Sequence, residues 1–272
     1  MLGHHPYTNI DGADPDVDYG DDDIRRIKQS QPWYIKYLYQ HLYGPIIYGL
    51  LGMRTRTQDV SILHFVKMDG PIRVNEPTFY HLAIFWGGKV GRTQNIQILF
   101  LKIKKNGSLQ ITHVIYRFVV PSFYLPIWQV VTLYLIADAV SSYWLAILFQ
   151  ANHIVSHLEW PTPDKNGVIN MDWAEMQVRT SQDYAHGSWF WTVFSGALNY
   201  QVVHHIFPGI NQYYYPAIAP IVKQTCAEFG IKYTVEKTAG AAVWGHFKHL
   251  YNMGHTTAAN ASGNAKKNTK KR

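Results

Sequence analysis

The longest run of apolar positions in the chain lies between Pro126 and Asn152. The stretch IWQVVTLYLIADAVSSYWLAILFQA carries one ionisable residue, Asp138, in about 25 positions. As a helix it would be roughly 38 Å long, which exceeds the hydrocarbon thickness of a bilayer. The pattern therefore predicts a membrane-spanning helix.

A second membrane crossing is predicted from two shorter apolar runs. TFYHLAIFWGG (78–88) and VIYRFVVPSFYL (114–125) are each too short to span a bilayer, but joined they are long enough. The basic stretch at 91–113 would be costly inside a membrane unless it looped out. We therefore interpret 91–113 as a suspect insertion, either a retained intron or an error in the gene model. The two crossings then form a hairpin whose ends return to the same side.

The remaining chain is more polar and predicts shorter helices. The stretch YGPIIYGLLGM (43–53) is typical of an interfacial or core helix. The basic, aromatic segment 24–43 is typical of a stretch that lies on the membrane surface. Residues 153–257 are mixed enough for a soluble cap, and 258–272 form a disordered basic tail by composition. The expected fold class is all-α, with integral membrane helices in a transmembrane hairpin and a cytosolic helical cap.

Cysteine content and charge exclude several classes of protein. The single cysteine, Cys226, excludes an internal disulfide framework and a cysteine-based zinc site. Much of the net charge of +7 lies in KIKK (102–105) and in the terminal KKNTKKR. Neither stretch alternates with aromatic residues, so we expect no nucleic-acid partner and favour contact with anionic membrane lipid.

An acidic stretch, DGADPDVDYGDDD (11–23), holds seven aspartates. It fails as a calcium-binding EF-hand loop, because counted from Asp14 the glycine comes one place late and Arg25 stands where glutamate is needed. We expect an exposed acidic loop instead.

Histidine supplies the candidate chemistry, in three clusters. The clusters are LGHH with His4 and His5, NHIVSH with His153 and His157, and QVVHH with Gln201, His204 and His205. Residues three or four apart on a helix share one face, so the second and third clusters each direct their side chains together. Singly, each cluster has a plain alternative: a flexible terminus, chance histidines capping a membrane helix, or polar residues near a helix end. Together, on one side of the hairpin, they predict a nitrogen-rich site that suits iron and leaves positions open for dioxygen.

The other histidines lack such spacing, and we interpret them as structural, with His186 intermediate because it lies close before the third cluster. The structural group comprises His41, His64, His81, His113, His246, His249 and His255.

The motifs resemble those of the membrane fatty acid desaturases, specifically the front-end group with Δ4, Δ5, Δ6 and Δ8 enzymes. The stretch LGHHPYTNIDGADPD resembles the end of the family's second histidine box. The stretch FQANHIVSH resembles the family's NH motif, and LNYQVVHHIFPGINQYYYPAIAPIV resembles its third box. Gln201, in place of the first histidine of the third box, is characteristic of the front-end group. The resemblance covers most of residues 1–255 and is closest to Δ5-type enzymes.

The resemblance implies a ligand set for a non-haem diiron centre. That set is His4, His5, His153, His157, His204 and His205, with Gln201 as a ligand or its hydrogen-bonded neighbour. The implied reaction is oxygen-dependent removal of two hydrogens from adjacent methylenes of a fatty acyl lipid or acyl-CoA, with an apolar tunnel selecting the bond. Electrons would come from cytochrome b5 and its reductase. The implied location is the endoplasmic reticulum membrane, multi-pass, with the histidine motifs and the C-terminus cytosolic.

The chain departs from the family pattern at its start. It begins inside the second box, without the leading histidine of that box, the first box or the cytochrome b5 domain. We therefore expect 1–257 to be a partial desaturase domain, inactive alone. Two alternatives stay open: a membrane hydroxylase on the same diiron scaffold, and a non-catalytic membrane protein whose histidines bind zinc or nothing.

Overall fold

The computed structural model describes residues 4–17, 23–69, 72–76, 78 and 115–256. These residues are mainly helical with two very short strand pairs, in agreement with the predicted helical class. The chain forms two compact units. The first comprises Met1–Tyr48, Asp69–Ile72 and Trp144–Arg272, and the second comprises Gly49–Met68 and Arg73–Tyr143.

Helices make up most of the described secondary structure. The α-helices are α1 (Gln40–Tyr48), α2 (Leu51–Ser61), α3 (Val120–Ser122), α4 (Ile127–His153), α5 (Trp173–Arg179), α6 (Trp189–Phe194), α7 (Gln201–Ile206), α8 (Tyr215–Glu228) and α9 (Ala239–His255). Short 3-10 or π-helical segments occupy Ile35–Tyr39, Ile62–Val66, Ile115–Val119, Leu198–Tyr200 and Gln212–Tyr214. The strands are β1 (Met68–Asp69), β2 (Ile72–Arg73), β3 (Asp183–Tyr184) and β4 (Val235–Glu236).

Helix α4 forms where the longest apolar run predicts it and is 27 residues long. Pro126 precedes it, and the Pro126 carbonyl accepts the first hydrogen bond of the helix, from the Gln129 amide at 2.9 Å. Only 17% of its most apolar stretch is buried, whereas the core helix of a soluble protein would be mostly buried. Among the described residues, α4 is the one helix long and apolar enough to cross a membrane.

The second crossing stays a prediction, because residues 79–114 lie outside the described part of the chain. The same holds for the suspect insertion at 91–113. The described remainder of this crossing forms the π-helical segment Ile115–Val119 followed by α3. The predicted helix at 43–53 is divided, since α1 ends at Tyr48 and α2 begins at Leu51.

Three helices of the first unit share a hydrophobic core. Val203 of α7 packs there with Val178 of α5 and Ala219 of α8. Because the two valines of the QVVHH motif occupy this side of α7, Gln201 and His205 are directed to the other side. The core therefore fixes the direction in which the motif points.

A parallel strand pair holds the start of α7 in place. Asp183 in β3 lies opposite Val235 in β4 and is fully buried. One oxygen of its carboxylate accepts from the backbone amide of Val202 at 2.9 Å, and the other bonds the hydroxyl of Tyr233. A carboxylate at a helix N-terminus is favourable, because the free amides there carry partial positive charge.

The acidic loop and the basic segment after it are less exposed than predicted. Asp14 and Asp23 are buried, so the prediction of an exposed acidic loop is wrong at both positions. Arg26 is also buried, and its guanidinium donates to the carbonyl oxygens of Met253 at 2.8 Å and Thr256 at 2.6 Å. Asp14 and Arg26 are buried with distant partners that sequence spacing does not show.

Candidate metal centre

Three histidines, one from each cluster, meet inside the first unit. His4, His153 and His205 are all buried, and each offers a ring nitrogen within 4.8 Å of the other two. Their ring centroids are separated by 4.8 to 5.0 Å. The fold therefore brings together residues from the start, the middle and the last third of the chain.

Two further histidines extend this group. His5 stacks on His205 with a centroid distance of 4.5 Å and an interplanar angle of 12°. His204 meets His5 edge to face at 4.6 Å. Five imidazoles thus form one continuous group, which we call the five-histidine group: His4, His5, His153, His204 and His205.

The outer nitrogens of the three central rings are anchored. His4 Nδ1 lies 2.9 and 2.8 Å from the two Asp14 carboxylate oxygens, and His205 Nδ1 lies 3.0 Å from Gln177 Oε1. His153 Nδ1 lies 3.3 Å from the carbonyl oxygen of Thr180. Because each Nδ1 donates to an oxygen, each ring keeps its lone pair on Nε2, which faces inward. Anchors of this kind orient metal-binding histidines in proteins.

Gln201 lies between two of these inner nitrogens. Its Nε2 is 2.9 Å from His153 Nε2 and 3.0 Å from His205 Nε2, so the amide can donate one hydrogen to each ring. Asn152 Nδ2 donates to Gln201 Oε1 at 3.1 Å, which sets the amide in this orientation. In this arrangement Gln201 is a hydrogen-bonded neighbour of the histidines.

The electrostatics of the group favour uncharged imidazole. Burial, with the charge of His204 next in importance, lowers the pKa of His5 to about 3. Burial and the charge of His4 lower the pKa of His204 to about 4. The pKa of His205 is lowered as well, first by burial and then by His153. These rings are therefore neutral near pH 7, which is the form that binds a metal ion.

The donor set fits a transition-metal ion. Three nitrogens bound to one divalent ion at about 2.1 Å lie at most about 3.6 Å from one another, so nitrogens spread over 4.8 Å need to move inward by up to about 0.7 Å each. His4 Nε2 and His5 Nδ1 are buried and have no hydrogen-bond partner among the described residues. Unpaired buried nitrogens are costly unless something binds them, and neutral imidazole suits iron, copper and zinc.

His157 lies outside the three-imidazole group. Its Nε2 is 2.7 Å from Gln182 Oε1, so this nitrogen already has a partner. Its place in the ligand set stays a prediction.

His186, the intermediate case, bonds Asp183 at 2.8 Å and stacks on Tyr200 at 4.4 Å, where it supports the approach to α7.

The comparisons with known proteins settle the family. The sequence model described as fatty acid desaturase matches residues 2–237. The chain belongs to the fatty acid desaturase family. It is 48% identical to an acyl-lipid (8-3)-desaturase of Mortierella alpina, over 93% of this chain and 52% of that protein. It is 38% identical to Delta(5) fatty acid desaturase A of Dictyostelium discoideum, over 94% of this chain and 51% of that protein.

A more distant desaturase, the sn-1 linoleoyl-lipid 6-desaturase of Arthrospira platensis, is 29% identical over 92% of this chain and 62% of its own length. The chain spans about half the length of the curated relatives it matches most strongly. No solved structure matches it significantly. These relatives confirm the resemblance to the front-end group, and the family is one of oxidoreductases. Family membership and the exposed apolar helix α4 indicate a membrane protein.

Sequence reasoning missed the residues that anchor the desaturase histidines. The acidic stretch predicts that Asp14 lies in an exposed loop. Nothing in the spacing of the residues around Gln177 or Thr180 marks either residue as a partner of a histidine. Thr8 adds to the same layer, with Oγ1 at 2.8 Å from Gln177 Oε1 and 3.0 Å from His205 Nδ1. A usable signal was the position of Asp14 in the motif LGHHPYTNIDGAD, which also contains the paired histidines.

Proposed function

We propose that this chain provides metal ligands for the oxygen-dependent, front-end desaturation of a long-chain, polyunsaturated fatty acyl group. The new double bond would be at a Δ5-like position. The observation that carries the proposal is the five-histidine group, found in a chain of the desaturase family. Its three anchored rings direct nitrogens toward one another, and His4 Nε2 and His5 Nδ1 have no hydrogen-bond partner among the described residues. The printed names of the relatives from Mortierella and Dictyostelium support the Δ5-like assignment. The process served is unsaturated fatty acid biosynthesis.

The metal proposed is a pair of non-haem iron ions. His4, His153 and His205 would hold one ion, and His5, His204, Gln201 and the predicted ligand His157 would contribute the remaining donors from this chain. When bound, the irons supply the oxidising power that unactivated C–H bonds require, using dioxygen. Overall, one acyl chain, one dioxygen, two electrons and two protons would give one double bond and two waters.

The residues of this chain have their own tasks in that reaction. Burial keeps the imidazoles of His5, His204 and His205 neutral and excludes bulk water from the centre. Asp14, Gln177 and the Thr180 carbonyl hold the three central rings at fixed angles. Fixed rings matter because the oxidant must be held at one depth along the acyl chain for one bond to react.

The proposed partners follow from the same chemistry. The substrate is a fatty acyl lipid or acyl-CoA, and the electrons come from cytochrome b5 and its reductase. The proposed location is the endoplasmic reticulum membrane, with several passes and with the histidine motifs and C-terminus on the cytosolic side. Helix α4 supports this arrangement, because its apolar length ends at His153.

A yeast expression experiment tests the function. The chain would be produced as it stands and, separately, joined behind the N-terminal half of the Mortierella relative, which precedes the matching region. Cells would be fed polyunsaturated acids that differ in the position of their first double bond, and their lipids analysed by mass spectrometry. We expect the joined protein to insert a double bond on the carboxyl side of an existing one, and the chain alone to give none.

The matched control is the joined protein with His205→Ala, which should give no product while reaching the same expression level. An alcohol in place of the double bond would favour the hydroxylase alternative. Product formation undiminished by His205→Ala would contradict the proposal, because the reaction would not depend on the histidine group.

A further inference from the structure

Helix α6, with the sequence WFWTVF, exposes more apolar surface than a short water-facing helix normally does. Trp189 is 77% exposed, Val193 is 61% exposed and Phe190 is 54% exposed. The helix is held by Ser188, whose hydroxyl accepts from the Trp191 amide at its start. Exposed apolar patches of this kind mark places where a protein meets another apolar surface.

Trp191 and Phe194 of α6 pack on Trp144 of α4, and Phe194 also stacks on Phe190 at 5.0 Å. Phe194 lies 3.7 Å from Trp144 of α4 by ring centroids, and Trp191 stacks parallel to Trp144 at 6.4 Å. Trp191 and Trp144 also pack against the buried core that contains Leu148. Helix α6 is therefore fixed to the side of α4 at the level of Trp144.

The side chains of α4 change from exposed to buried near Trp144. Large apolar side chains are exposed along α4 from Ile127 to Leu145, a length of about 27 Å. This matches the hydrocarbon thickness of a bilayer, which is about 30 Å. Beyond Leu145 the helix enters the protein interior, with Ala146, Leu148 and His153 buried. Trp144 thus lies where the exposed apolar part of the helix ends.

We propose that α6 lies in the membrane interface beside α4 and presents Trp189, Phe190 and Val193 to lipid. The occupant of this face is the bilayer, because α6 is fixed beside Trp144, where the exposed apolar stretch of a helix of bilayer length ends. Tryptophan is enriched at this depth, where an apolar ring with a polar N–H meets both environments. The inference rests on the membrane span of α4 and does not require the desaturase reaction.

The connection from α6 to the histidines is short and ordered. Ser195 Oγ bonds Asn199 at 3.2 and 3.3 Å, and the Tyr200 hydroxyl accepts from the amide of Gly187 at 3.1 Å. Gln201 then begins α7. An interfacial α6 would therefore fix the depth of the QVVHH motif relative to the membrane surface.

Spin labelling of the full chain in phosphatidylcholine vesicles tests this placement. In a Cys226→Ser background, a nitroxide would be attached at Val193→Cys or, as a control, at Val168→Cys, which is 58% exposed in the loop before α5. Collisions with oxygen, which concentrates in lipid, would be compared with collisions with a water-soluble nickel chelate. We expect the oxygen-to-nickel ratio to be several-fold higher at position 193 than at 168.

Equal ratios at the two positions would overturn the proposal, since α6 would then face water. Protection of position 193 from both reagents would overturn it too and would indicate protein, such as a second copy, covering this face.

As a second measurement, lipids with brominated acyl chains should quench the tryptophan fluorescence of the chain. Trp189→Phe should reduce that quenching, whereas Trp173→Phe in α5 should not. Metal loading and activity play no part in either measurement, so a failed desaturase assay leaves this test intact.

Discussion

Two groups of buried histidines in the first unit differ in how their nitrogens are used. In the five-histidine group, the outer nitrogens of His4, His153 and His205 are anchored and the inner ones face each other. His246 and His249 on α9 are just as buried, and burial lowers their pKa values to about 3 and about 4. Burial and a lowered pKa therefore do not distinguish the two groups.

Hydrogen bonding does distinguish them. His246 Nδ1 donates to the Ile154 carbonyl at 2.8 Å, and its Nε2 accepts from the Tyr48 hydroxyl at 2.7 Å. His249 likewise bonds the Ile27 carbonyl at 2.7 Å and the Ser156 hydroxyl at 3.1 Å. Both rings use their donor and their acceptor, which leaves no lone pair for a metal. In the five-histidine group, by contrast, the single amide of Gln201 donates to the inner nitrogens of both His153 and His205, and His4 Nε2 has no hydrogen-bond partner among the described residues. These contacts support the structural interpretation of His246 and His249.

The largest expected effect comes from removing an inner nitrogen. His205→Ala should lower iron affinity by more than the roughly 100-fold that the loss of an outer partner can reach, because it deletes one of three central donors. Iron bound per chain would be measured by mass spectrometry after anaerobic loading in detergent. The matched control is His246→Gln, which should retain bound iron. Equal iron loss in the two variants would contradict the comparison.

A second effect comes from the anchor of His4. Asp14→Asn weakens the hydrogen bond that holds Nδ1 and should lower metal affinity by roughly 10- to 100-fold. Competition with a coloured chelator at pH 7 measures this affinity without any assay of activity. Asp16→Asn in the same loop is the control, since Asp16 is exposed. If Asp14→Asn and Asp16→Asn bind alike, Asp14 does not position His4.

Acid should destabilise the fold, in part through the second histidine group. Because folding depresses the pKa values of His246 and His249, the unfolded chain binds protons first as pH falls below about 6.5. Their contribution to stability is complete above that pH and is lost as pH falls toward about 4, by about 2 kcal/mol each at pH 5. Urea unfolding in detergent at pH 7.5 and pH 5 measures the loss. His246→Gln should reduce the difference between the two pH values, and an unchanged difference would argue against this assignment.

The smallest effect is expected at His157. Its Nε2 is bonded to Gln182, so His157→Ala should remove less iron than His205→Ala. It should also cost roughly 1 kcal/mol of stability for the lost hydrogen bond, seen as a small drop in melting temperature. A loss of iron as large as that of His205→Ala would establish His157 as a central ligand.

Motif spacing was a good guide to the long helix and to the histidines that the fold brings together. The apolar run of α4 and the helical spacing of Gln201, His204 and His205 are local features, readable within a few turns. The anchors were hidden because their partners are distant: Asp14 pairs with His4 only after a loop closes, and Gln177 reaches His205 from another helix. The burial of Arg26 was hidden for the same reason, since its acceptors lie at the end of α9.

The hydrogen bond between Asn152 and Gln201 has a consequence for the chemistry of position 201. A half-turn about the last bond of the Gln201 side chain exchanges nitrogen and oxygen without moving any other atom. In one position the amide donates to the two imidazoles of His153 and His205. In the other it would offer a carbonyl oxygen to a cation, at the cost of the bond from Asn152 and of the two bonds to the imidazoles. A histidine at this position would lack that choice, so glutamine allows two amide orientations at the edge of the candidate metal centre.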